Sequence, residues 1–226
     1  MKRATVTLIA ALLLMSVISC RPVRIACVGD SITYGHGIAD RENDTYAGVL
    51  NHRLGDRYDV RNFGISGRTL MNSGDSPYMS EQIYKDALAF QPDVVTIALG
   101  TNDSKPQNWA HQEDFKADLK ELIGSFSGLP TKPEIWVCLP PPAYSHAWAI
   151  NDSIICNAVI PYIKEVAKEV NVRIIDLNTP FISKQNLFLD TIHPNEEGHK
   201  VIASVISAYF RDSRKVRTKD TETSNK

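Results

Sequence analysis

Five short apolar runs, residues 24–28, 58–62, 94–99, 135–139 and 172–177, are separated by segments of helical periodicity, and this alternation restricts the possible folds more than any other feature of the chain. Runs that stay apolar on successive residues suit strands buried on both faces, as parallel strands are. Between them, Phe115, Leu119, Leu122, Ile123 and Phe126 share one helical face. So do Ile154, Ile155, Ala158, Val159, Ile163, Val166, Ala167 and Val170, and finally Val201, Ile202, Val205, Ile206, Tyr209 and Phe210. The alternation predicts an α/β fold: a doubly wound five-stranded parallel sheet with helices on both faces and its site at the carboxyl ends of the strands. The 226 residues, less a removable start, suit a single domain at residues 20–210.

The two ends of the chain read differently from this body. Lys2 and Arg3 precede an apolar stretch, and Val17-Ile18-Ser19-Cys20 is similar to a bacterial lipoprotein signal, in which Cys20 becomes the lipidated first residue after residues 1–19 are removed. That reading expects a membrane-anchored lipoprotein facing the periplasm or cell surface; ordinary signal cleavage with an incidental Cys20 is the alternative. Residues 211–226 hold six basic and three acidic groups with almost no apolar ones, which predicts a polar disordered tail. Residues 1–19 hold two cations and no acid, so their loss takes the formal net charge from −1 to −3, and setting aside the tail leaves −6 on the body. An acidic body argues against nucleic acid as a partner. Cys27 and Cys138 fall on expected inner strands and Cys156 on a helix's apolar face, so all three read as core residues and not as a disulfide framework. The histidines show no zinc-binding spacing, and no metal or organic cofactor is expected.

The chemistry sits where strands end. Gly29-Asp30-Ser31 closes the first apolar run, and far along the chain Asp190-Thr191-Ile192-His193 supplies a carboxylate and an imidazole three residues apart. A serine hydroxyl needs a neutral imidazole to take its proton, and the imidazole needs a carboxylate to fix its tautomer, so Ser31, His193 and Asp190 together form a hydrolytic triad. Pro194 followed by Asn195-Glu196-Glu197 opens a helix, which places His193 at a positive helix end and favours its neutral form. Asn62-Phe63-Gly64-Ile65-Ser66-Gly67 and Gly100-Thr101-Asn102-Asp103 follow further strands. The backbone N–H groups of Ser31 and Gly67 and the side-chain amide of Asn102 can therefore converge on one oxygen. Any one of these segments alone also reads as a turn or a helix cap; four in this arrangement do not. Around Ser31 the G-x-S-x-G pattern is absent, which points away from the α/β-hydrolase elbow.

On these four segments the chain resembles the SGNH, or GDSL-like, hydrolases over residues 24–199. The resemblance implies Ser31 as nucleophile, Gly67 and Asn102 as oxyanion donors, Asp190 and His193 as the remaining pair, and the strand order 2-1-3-4-5. The Gly67-Arg68-Thr69 block is similar to that of the carbohydrate esterase branch.

Substrate expectations rest on two loops, residues 104–109 and 140–148, whose Trp109, Tyr144 and Trp148 could stack on sugar rings. Polar, proline-rich and aromatic loops suit a short acyl group on a carbohydrate better than a long chain. The reading is therefore a serine esterase removing O-acetyl groups from carbohydrates, such as sialic acid or plant or host glycans, through an acyl-serine intermediate. A lysophospholipase or acyl thioesterase is the alternative, and a non-catalytic surface glycan-binding lipoprotein is the alternative of another class. The sugar, the ester position and the oligomeric state are left open.

Overall fold

A computed structural model describes residues 21–223. Five strands, β1 (Val23–Gly29), β2 (Tyr58–Gly64), β3 (Val94–Ala98), β4 (Glu134–Leu139) and β5 (Arg173–Asp176), form one parallel sheet in the order β2-β1-β3-β4-β5. This is the expected order, and the expected runs match the strands to within two residues.

The three inner strands, β1, β3 and β4, bury both faces because their side chains alternate between two cores, whereas the edge strands β2 and β5 leave Arg61 and Arg173 exposed. Ala26, Val28, Val95, Ile97, Ile135 and Val137 point to one core, and Ile25, Cys27, Val94, Trp136, Cys138 and Ile175 to the other. The first is closed by α3 (Gln82–Ala89), α4 (Phe115–Ser127) and α5 (Ile160–Glu169). The second is closed by α2 (Tyr46–Leu54) and α6 (Glu196–Thr223), with Phe210 packed on the fully buried Trp136 at 4.5 Å between ring centroids. Burial of such a side chain contributes on the order of 1.5–3 kcal/mol. Buried His199 of α6 accepts the Tyr46 backbone N–H through Nδ1 at 3.0 Å, tying α6 to the start of α2.

Two expectations are corrected. The last helix continues to Thr223, so residues 211–223 are helical where composition predicts a disordered tail. The segment holds no proline or glycine, so a helix seeded by the apolar face ending at Phe210 meets nothing that stops its propagation. Cys156 is exposed and not in the core: it lies about 100° around the helix from buried Ile155, off the face that buries Ile155, Val159, Ile163 and Val166, and its thiol donates to Asp152 Oδ2 at 3.7 Å. Cys27 and Cys138 are buried, unpaired core residues as expected. The signal segment and Cys20 lie outside the described residues. Among the described residues, no helix is long and apolar enough to cross a membrane.

The register fixes where the loops meet. Gly29 is opposite both Gly64 and Ala98, so the three strands end level, and Ser31, Gly67 and Asn102 follow two, three and four residues beyond them. Because β1 lies between β2 and β3, the chain leaves it at the crevice where strand order reverses.

Candidate active site

Ser31 opens a single helical turn, α1 (Ser31–Tyr34), capped by Asp30, whose Oδ1 accepts the Ile32 N–H at 2.9 Å. Asp30 is itself buried, and that burial pushes its carboxyl up to about 7. The turn packs against the end of β2, where a Cβ on Gly64 would come within 2.2 Å of the Tyr34 backbone nitrogen. Only glycine fits there.

Ser31 Oγ lies 2.9 Å from His193 Nε2, and His193 Nδ1 lies 2.8 Å from Asp190 Oδ2. The other Asp190 oxygen accepts the backbone N–H groups of Ile192 and His193 at 3.1 and 2.8 Å, which locks the carboxylate onto its own turn. Burial raises the Asp190 carboxyl, but the His193 ring and these backbone donors outweigh it and bring it down to about 2. Asp190 therefore stays ionised across the working pH range. His193 is lowered from its ordinary 6.5, first by burial; Asp190 opposes this, and the charge of His36 adds to it. The sequence reading expects a neutral base and finds the cause in a helix end; burial is the larger cause. Asn195 does cap α6, accepting the Gly198 N–H at 3.0 Å.

Three hydrogen-bond donors border the same cleft. Gly67, at φ +82°, holds the loop after β2 in a left-handed conformation that favours glycine, and neither its N–H nor that of Ser31 has an acceptor among the described residues. Asn102 uses one amide hydrogen on the Arg68 carbonyl at 3.1 Å, which leaves the other to point elsewhere. Sequence reasoning missed the residues that lock these loops together. Buried Asp103 accepts the N–H groups of Leu70 and Met71 at 2.9 and 2.8 Å, Asn108 donates to the Asn102 carbonyl at 2.9 Å, and Arg68 pairs with Glu81 at 2.7 Å. Two unpartnered backbone donors beside an oriented amide are what a developing oxyanion requires. Asn102→Ala is expected to lower kcat by about 100- to 1000-fold with KM little changed, as steady-state kinetics on p-nitrophenyl acetate would measure; a loss below tenfold would remove Asn102 from the set.

The three expected sugar-stacking aromatics separate. Trp148 borders the cleft, 63% exposed, with its Nε1 3.4 Å from Asp190 Oδ2 and its ring edge-on to His36 and His193. It and Ala149 hold φ +58° and +61°, conformations costly for non-glycine residues. Trp109 instead packs on Phe115 and Tyr162 at the core edge, and the Tyr144 hydroxyl is committed to the Phe181 carbonyl and the Lys184 N–H. Both are corrected: Trp109 and Tyr144 are structural, because their rings find apolar neighbours behind the loops.

His36, which sequence spacing left unconnected, packs its ring 4.3 Å from that of His193. Together His36, Asp190 and His193 offer ligand atoms within 4.8 Å of one another, a set that could hold a transition metal only by breaking the hydrogen bonds of the triad. The cleft measures about 180 Å³ and has Ile150 and Ile192 as its apolar lining. It is below the roughly 300–1,000 Å³ of pockets for drug-sized ligands.

An acetylxylan esterase of Xylanibacter ruminicola is 44% identical over an alignment covering 84% of this chain, and the chain spans only 43% of that protein's length. The fold matches that of a lipase/acylhydrolase from Enterococcus faecalis, with a TM-score of 0.69 and 20% identity over 84% of this chain and 96% of that one. It also matches a carbohydrate acetylesterase from Sinorhizobium meliloti, with a TM-score of 0.63 and 20% identity over 82% and 99%. Residues 27–201, from within β1 into α6, match the sequence pattern of one family throughout, and the chain belongs to the GDSL-like lipase/acylhydrolase family.

Proposed function

We propose that this chain is a serine esterase that removes acetyl groups from carbohydrates, with Ser31 as nucleophile, His193 as general base and acid, and Asp190 as the group that orients it. The observation that carries this reading is the continuous hydrogen-bonded line from Ser31 through His193 to Asp190, beside unpartnered donors in a small cleft. Ser31 Oγ attacks the acetyl carbonyl as its proton passes to His193 Nε2, and the negative oxygen takes hydrogen bonds from Ser31 N–H, Gly67 N–H and the Asn102 amide. His193 then returns the proton to the departing sugar oxygen, leaving acetyl-Ser31. Water, deprotonated by the same nitrogen, attacks the acyl group, and acetate and free Ser31 result.

A carbohydrate acetyl ester is favoured by the cleft's small volume, by the exposed Trp148 ring beside it and by the acetylxylan esterase relative. Sialic acid and plant or host glycans both remain within that class. The test is the ratio of kcat/KM for p-nitrophenyl acetate over octanoate. We expect at least a tenfold preference for acetate; a preference for octanoate would move the assignment to lysophospholipids or acyl thioesters.

The site of action follows from the lipoprotein-like segment ending at Cys20. We propose a lipid tether there that holds the enzyme at the periplasmic or outer surface. Metabolic labelling with palmitate is expected to mark the full chain and to be lost in Cys20→Ala, whereas unlabelled wild type would refute the tether.

A further inference from the structure

Apart from its histidines, the cleft has one ionisable side chain among the described residues that border it, Lys105. It sits three residues beyond Asn102, and its backbone is fixed. Its N–H donates to the Asn102 carbonyl at 3.3 Å, its own carbonyl accepts the N–H groups of Asn108 and Trp109 at 3.0 and 2.8 Å, and Pro106 holds it extended at φ −62°, ψ 139°. Lys116, Lys120 and Lys200, all on exposed helix faces, are ion-paired with Glu165, Glu169 and Glu197. Lys105 is more buried than an open surface lysine, yet its ammonium has no hydrogen-bonding or ion-pairing partner among the described residues. Its charge also acts on the buried Asp30 behind the nucleophile. A cation that borders a reaction cleft on a fixed backbone and has no partner of its own, in a body whose net charge is −6, is a poor contributor to stability and a good receptor for an anion.

We infer that Lys105 receives a carboxylate of the substrate, so that the acetyl group removed stands on an acidic sugar and not on a neutral one. This rests on the esterase reading for its acetyl group, and on Lys105 alone for its charge. A charge-assisted hydrogen bond at a partly desolvated site corresponds to a discrimination of about tenfold or more.

The experiment compares two substrates that differ only at C6, the mono-O-acetylated methyl glucuronoside and the equally acetylated methyl glucoside. Wild type is expected to favour the glucuronoside about tenfold in kcat/KM, mainly through KM, and the preference should shrink as salt is raised to about 0.5 M. In Lys105→Gln the ratio is expected to fall toward one, in Lys105→Glu to invert, and in Lys105→Arg to return. Equal use of both sugars by wild type, or a ratio unmoved in Lys105→Gln, would overturn the inference. A second arm needs no turnover. The Ser31→Ala protein is titrated with unacetylated methyl glucuronoside and methyl glucoside, and NMR shifts are followed. Tighter binding of the glucuronoside, about tenfold and dependent on Lys105, supports the inference; equal or absent binding overturns it. Carboxylate binding without hydrolysis of either acetate would sink the esterase reading and leave the Lys105 site standing.

Discussion

Ser31→Ala is expected to lower kcat for p-nitrophenyl acetate by up to about 10⁶-fold, to a residue of catalysis supplied by the oxyanion donors and by binding. The substitution removes one hydroxyl and one hydrogen bond, the 2.9 Å contact to His193 Nε2. It leaves the turn that presents the nucleophile, because that turn is made by backbone: Tyr34 N–H to the Asp30 carbonyl, Gly35 N–H to the Ser31 carbonyl, and the Asp30 cap on Ile32. The cleft admits water to the vacated nitrogen, so stability should change by no more than about 1 kcal/mol. Thermal melts and the rapid release of p-nitrophenol in the first turnover separate the two effects. The native enzyme should show a burst if deacylation is slow, and the variant none, with melts that superpose. A folded variant retaining more than a hundredth of native turnover would exclude Ser31 as nucleophile and make the glycan-binding reading the better one.

The parts of this molecule that could be read from the sequence are those whose cause is local. Inner strands buried on both faces announce themselves as nearly unbroken apolar runs, as β1, β3 and β4 do, whereas the edge strand β2 interleaves Asp59, Arg61 and Asn62 and is marked more weakly. Ser31, Gly67, Asn102, Asp190 and His193 could be named because each sits where an apolar run stops or a helix starts. What escaped depends on contacts between loops distant in sequence. His36 meets His193 only because α1 and the Asp190 turn face each other, and Asp103 locks the Gly67 loop through backbone N–H groups, which carry no sequence signal. Trp109 and Tyr144 were misplaced for the same reason: an aromatic side chain on a loop can turn outward or inward, and only the neighbours Phe115, Tyr162 and Phe181 decide which. Cys156 borders the apolar face of its helix in sequence but lies off it in space, so its apolar neighbours Ile154 and Ile155 do not carry it into the core.

Asp190→Asn separates orientation from charge, and its expected signature has two parts. Turnover should fall by about 10⁴-fold, because an amide facing His193 Nδ1 can donate as well as accept and so admits the tautomer that cannot take the serine proton. The second part is the pH profile. His193 must be neutral to act, so kcat/KM rises as pH passes upward through its pKa, and burial places that limb below 6.5 in the native enzyme. Asp190 is the group that pulls His193 upward, so removing its charge lets burial and the neighbouring His36 lower the pKa further. The acid limb of the residual activity should therefore move to lower pH, opposite to what the loss of a repelling cation would cause. The amide oxygen can still accept the N–H groups of Ile192 and His193, which keeps the turn intact and makes the shift readable. A variant that lost activity with an unmoved limb would mean that Asp190 acts only by shaping its turn. A limb that moved to higher pH would mean that the charge governing His193 comes from elsewhere in the cleft.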